Sequence, residues 1–173
     1  MASNTYTLIS SVTVGSGGAS SIDFTSIPAT YTDLLLRVSP RSTRASVDAN
    51  ELKVTFNGST TSYSEKTLRG NGASATSGSF TSAGIANILV DASTATASTF
   101  SSLDYYIPNY AGSNYKSVST DSVSENNGTT AYATLDAGLW SNTAAITSIK
   151  IQDNDGNNLA QYSTAYLYGI KSS

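Results

Sequence analysis

The two side chains that most often carry polar chemistry in proteins, histidine and cysteine, are both missing from this 173-residue chain. A hydroxyl nucleophile needs a base, and only lysines and carboxylates remain to act as one. The 12 acids stand mostly singly in strand-like or turn-like stretches, so a glycosidase-type pair would have to be brought together by the fold. The expectation is a protein that is not an enzyme and holds no cofactor.

The stretch DNDGNN at 153–158 sets Asp153, Asp155 and Asn157 at alternate positions, as the first oxygen ligands of a calcium loop would stand. The match then fails: Asn158 occupies the position that needs glycine, and Thr164 the position that needs a bidentate glutamate. A hairpin turn about Asp155 and Gly156, with no metal, is the expected structure. GSGG at 15–18 and the GNG that begins at Gly70 lack the lysine and Ser/Thr of a phosphate-binding loop, and read as turns.

Aromatic residues offer more. Tyr105 and Tyr106 are adjacent, so in a strand they face opposite sides, and Tyr110 and Tyr115 follow closely. An outward tyrosine presents an apolar ring and a hydroxyl to a partner. In the closing stretch STAYLYGI, Tyr166, Tyr168 and Ile170 share one face, and Ala165, Leu167 and Gly169 the other. Trp140, next to Leu139, poses the same choice between core and surface. These seven aromatics, Tyr105, Tyr106, Tyr110, Tyr115, Trp140, Tyr166 and Tyr168, are the candidate contact residues for a partner protein or a ligand, with core packing as the competing reading.

The elements that must position them are strands. Only 12% of residues are charged, and 31 Ser, 23 Thr and 13 Asn fill the deficit, giving a neutral, hydroxyl-rich exterior. Threonine, tyrosine, valine and isoleucine favour strands, and serine, asparagine and glycine the turns between them. The length suits one domain over 1–173. A net charge of -3 argues against nucleic acid as a partner. The nearest approach to a basic patch, Arg37, Arg41 and Arg44, reads as a solvated strand end and loop. The opening MASNTYTLISSVTVGSGG has neither a basic leader nor an unbroken apolar run, so neither export by a cleaved signal nor a membrane partner is expected. Without such a route the sequons at Asn57 and Asn127 carry no meaning.

About ten short runs alternate with period two between turn residues, the pattern of an antiparallel β-sandwich or barrel. Residues 5–14 and SIDFTSI are expected to form a hairpin around GSGG, and LKVTF and YSEKTLRG a second around NGS. Residues 70–84 read as a long loop. YKSVSTDSV and AYATLDAGLW flank ENNGTT, and the latter sets Ala133, Leu135, Ala137 and Leu139 against Tyr132, Thr134, Asp136 and Trp140. ITSIKI and STAYLYGI close the chain around QDNDGNN.

Taken in order, YTLISSVTVGSGGASSIDFTSIP, YTDLLLRVS with Arg41 just after it, VTFNG, IPNYAGSNYKS, GLWSNTAAITSIKI and GNNLAQYSTAYLYGI make the chain resemble a family of small virion proteins from tailed phages. The resemblance implies a jelly-roll-like β-sandwich carried on the virion after synthesis in the host cytoplasm. It implies a capsid decoration or cement protein, often a homotrimer, whose partner is the major capsid protein. The alternative is a tail or fibre module for host attachment, in which Tyr105, Tyr106, Tyr110 and Trp140 form a sugar platform. One departure is local: many relatives have glycine before the serine of the last strand, where this chain has Tyr162 before Ser163.

Overall fold

The computed structural model describes residues 5–171, which form twelve strands and no helix. The strands are β1 (Tyr6–Thr13), β2 (Ile22–Phe24), β3 (Asp33–Ser39), β4 (Ala49–Phe56), β5 (Tyr63–Gly70) and β6 (Ala75–Phe80). They continue as β7 (Ile85–Asp91), β8 (Ser102–Ile107), β9 (Lys116–Ser124), β10 (Tyr132–Trp140), β11 (Ile149–Asp153) and β12 (Thr164–Ile170). Eight form one sheet in the order β1-β12-β3-β8-β9-β10-β5-β6, and four form the other, β2-β11-β4-β7. Every pairing is antiparallel.

The order β1-β12-β3-β8 over β2-β11-β4-β7 is the strand order of a jelly roll. The hairpins β5–β6 and β9–β10 are additions that widen the larger sheet. Between the sheets lies one apolar cluster, which includes Leu34, Leu36, Leu52, Val54, Ile88, Leu103, Ile149 and Leu167. At one end Phe56, Tyr63 and Trp140 meet with ring centroids 5.7 to 6.2 Å apart.

This topology overturns both expected hairpins at the start of the chain. β1 pairs with β12 and β2 with β11, so GSGG carries the chain between sheets, with Gly17 and Gly18 at positive φ. After β4 the positive-φ pair Asn57 and Gly58 likewise leads to the other sheet, where β5 pairs with β10 and β6. A turn-forming dipeptide sets a local reversal, but which strand lies alongside is decided by the face each strand must bury. The Asn57 side chain serves the crossing: its oxygen accepts from the Thr147 and Ser148 amides and its amide donates to the Ala145 carbonyl. β11 and β12 also lie in different sheets, so DNDGNN is a turn but not a hairpin. The expected β9–β10 hairpin is present.

The expected 70–84 loop contains a strand, β6, which pairs with β5 at the edge of the larger sheet. Its residues are mostly exposed, so no buried face imprints a period on the sequence. Tyr162 has φ 73, the left-handed region where glycine costs least. That is the position where the resemblance leads one to expect glycine.

The widening has a structural consequence. The smaller sheet ends at β7, which lies over β5, β9 and β10. An open strand edge so placed has buried backbone groups that need partners. Glu65 of β5 accepts from the Ala86 and Asn87 amides at 2.8 and 3.1 Å and from the Asn87 side chain at 3.0 Å. Arg69 donates to the Asn87 carbonyl at 2.9 Å, and the Ser101 hydroxyl accepts from the Asp91 amide at 2.8 Å. The inner face of β5, β9 and β10 is polar beyond Glu65, with Thr67, Thr120, Ser122, Thr134 and Asp136 also buried.

Glu65→Ala strips two buried amides of their acceptor, each worth about 1–3 kcal/mol. Urea unfolding is expected to show a loss of about 3 kcal/mol or more with the denaturant slope unchanged. A loss as small as that of an exposed substitution would mean that β7 finds other partners.

Candidate functional site

A strand's side chains alternate between faces, so the polar inner positions of β5, β9 and β10 force the intervening residues outward. In β10 the outward set is Ala133, Leu135, Ala137 and Leu139, and the inward set is Thr134, Asp136, Gly138 and Trp140. Hydrophobicity alone assigns these faces the other way round. Leu135 is 60% exposed and Leu68, directly opposite it on β5, 51%.

Registers place the outward residues in rows across the larger sheet. One row runs Leu8, Tyr168, Leu35, Tyr106, Ser119, Ala137, Lys66, Ser79. The next runs Ser11, Tyr166, Arg37, Asp104, Asp121, Leu135, Leu68, Ser77. A third holds Ser102, Val123, Ala133, Gly70 and Ala75. The face thus has two halves: aliphatic and small residues on β9, β10, β5 and β6, and tyrosines with an ion pair on β1, β12, β3 and β8.

On the aliphatic half a shallow groove of about 800 Å³ runs beside Leu68, Leu135 and Ala137, and a second of about 360 Å³ beside Val123, Ala133 and Ala75. On the tyrosine half Arg37 grips Asp104 with two parallel bonds, Nε to Oδ1 at 2.9 Å and Nη2 to Oδ2 at 2.8 Å. The Tyr106 hydroxyl donates to Asp33 at 2.7 Å, which fixes that ring.

The seven candidate aromatics divide. Tyr105, Tyr110 and Trp140 are buried in the core, so they cannot form a surface platform. Tyr105 points inward because its neighbour Tyr106 points outward, Tyr110 tucks its hydroxyl against the Pro28 carbonyl, and Trp140 packs with Phe56 and Tyr63. Tyr106 and Tyr166 are exposed on the outer face and Tyr168 is half-buried there. Tyr115 is exposed on the connection before β9, outside the sheet. The reading missed Tyr6, Leu35, Leu68, Val123 and Leu135, the last visible in the β10 alternation but with no sign of which face looks out.

The charged residues are largely engaged within the chain. Arg41 donates to the carbonyls of Thr96, Ala95 and Thr99 at 2.8 to 2.9 Å, clamping the 93–99 loop. Arg44 pairs with Asp155. With Arg37 held by Asp104, the three arginines are fasteners. Asp153 is buried, and burial alone would raise its pKa, but bonds from Ser42, Asn157 and Asn50 hold it below the ordinary value. The calcium-like spacing therefore serves a carboxylate that already accepts from Ser42, Asn50, Asp155 and Asn157.

Asp136 is the most perturbed carboxylate. It faces inward beside Thr67, which donates a hydroxyl to it, and its second oxygen makes no hydrogen bond among the described residues. Burial, abetted by the charge of Glu65, pushes its pKa from the ordinary 3.8 up to about 6. No family model matches this chain, and no curated protein or solved structure matches it either.

A carboxyl raised on folding stabilises the protein at low pH: the folded chain keeps a proton that the unfolded chain releases. That contribution is complete below 3.8 and is lost as pH rises through about 6, a span of up to about 3 kcal/mol. Asp136→Asn mimics the protonated state. Its melting temperature relative to wild type is expected to climb between pH 4 and pH 7; a difference independent of pH would show that Asp136 titrates normally.

Proposed function

We propose that this protein works by adhesion, as a non-enzymatic decoration or cement subunit that fastens to the outside of a phage shell. The observation that carries the reading is the aliphatic half of the outer sheet face, where Leu68, Val123 and Leu135 stand exposed among alanines and serines, with Lys66 and Asp121 beside them. Contiguous apolar surface directed away from the core is characteristic of a contact site. The resemblance in sequence to small virion proteins points the same way. It names the major capsid protein as the partner, a homotrimer as the working form and the virion as the location.

Such a subunit needs stiffness and many weak contacts rather than turnover. Three copies held together raise one another's effective concentration at neighbouring shell sites, so modest individual contacts hold firmly. Among the described residues both edges of the larger sheet, β1 and β6, are unpaired, and β1 carries a bulge between Leu8 and Ser10 that blunts it.

The test is addition of purified protein to shells that lack it. Wild type is expected to bind in hundreds of copies at regular positions and raise the temperature at which shells burst. The double variant Leu68→Ser, Leu135→Ser is expected to bind about tenfold or more weakly, since burying each leucine is worth about 1.5–3 kcal/mol, and to keep its own melting temperature. A handful of copies confined to the tail would favour the host-attachment alternative.

A further inference from the structure

The tyrosine half of the outer face contains a small cleft bounded by Tyr6, Leu35, Arg37 and Tyr168, with a volume of about 340 Å³. Three strands build it. Tyr6 comes from edge strand β1 and is 55% exposed. Tyr168 comes from β12, and Leu35, which lies directly opposite Tyr168, comes from β3 together with Arg37. Two phenol rings and a leucine thus make the apolar surfaces, and a guanidinium makes one polar boundary.

That polar boundary is held rigid. The bidentate grip of Asp104 occupies Nε and Nη2 of Arg37, leaving the N–H donors of Nη1 without a bond among the described residues. The Tyr168 phenol lines the cleft beside the guanidinium. Tyr6 is similarly close to Tyr106, whose ring is tied to Asp33. One donor group is therefore anchored beside two rings before any ligand arrives, which lowers the cost of ordering it on binding.

We propose that this cleft binds a neutral saccharide, one or two pyranose rings long. A pyranose has an apolar C–H face to lay on a tyrosine ring and hydroxyls that both donate and accept, matching a cleft bounded by two phenols and a guanidinium. Charge selects against the rivals. The positive charge of Arg37 is cancelled by Asp104, and Asp33 adds a negative one, so phosphates, nucleotides and acidic sugars meet no net attraction. A proline-rich peptide also docks on aromatic rings, but proline residues carry carbonyl acceptors and no N–H to give the phenol oxygens. The volume lies at the small end of ligand sites, which run from about 300 to 1,000 Å³, and so limits the occupant to one or two rings.

The site lies on the half of the face away from Leu68 and Leu135, so it stands or falls independently of adhesion through the aliphatic half. Saturation-transfer NMR on the intact protein, with the methyl glycosides of glucose, galactose and N-acetylglucosamine, tests it. At least one sugar is expected to show saturable transfer that is insensitive to salt. Tyr6→Ala and Tyr168→Ala are each expected to weaken binding by about tenfold, the scale of one lost aromatic contact. Leu135→Ser is expected to leave it unchanged. Tyr6 sits on an exposed edge, so Tyr6→Ala keeps the test decisive if Tyr168→Ala loosens the sheet. The proposal is overturned by absence of transfer from all three sugars, by binding that survives Tyr6→Ala, or by transfer to a polyproline decapeptide alone.

Discussion

The open edge of β7 is the constraint from which much else in this molecule follows. A jelly roll of matched sheets covers its inner faces with apolar residues on both sides. Here two hairpins widen one sheet to eight strands while the other stops at four, so an unpaired strand edge lies buried against the wider sheet. Ala86 and Asn87 lie where the β4–β7 register shifts, and a carboxylate from Glu65 takes the place of water at their two buried amides. Of the polar lining, Glu65 and Arg69 answer that need, whereas the Thr120 and Thr134 hydroxyls and one Asp136 oxygen make no hydrogen bond among the described residues.

Once those inner positions are polar, period two sends the aliphatic residues of the same strands outward. Leu68, Leu135 and Val123 are exposed because Thr67, Asp136 and Ser122 are not. The wider sheet therefore presents exposed leucine, valine and alanine side chains flanked by Lys66 and Asp121 at one end and tyrosines at the other. Neither half has a facing layer among the described residues. Arg41, Arg44 and Asp153, which looked like possible partners for anions or cations, are consumed in holding the loops that close the sandwich.

Composition and alternation were sufficient to read an all-β sandwich, the β9–β10 hairpin and the two faces of β12. They could not say which strand lies beside which, because a turn such as Asn57–Gly58 reverses the chain equally well within a sheet or between sheets. Nor could they find β6, whose pattern is erased by exposure on both faces. Tyr105, Tyr110 and Trp140 were misplaced as possible surface residues for a related reason. The choice of face depends on what lies opposite, and for Trp140 that is Phe56 and Tyr63, distant in the chain.

The central claim is that the outer face of the eight-stranded sheet is the adhesive one. Hydroxyl-radical footprinting of the free protein and of the protein on its assembled particle tests it directly. Leu68, Val123 and Leu135 are expected to be labelled in the free chain and protected on the particle, while Tyr115 and Tyr162 stay labelled in both. Equal labelling of the three aliphatic residues in both states, with protection elsewhere, would contradict the account.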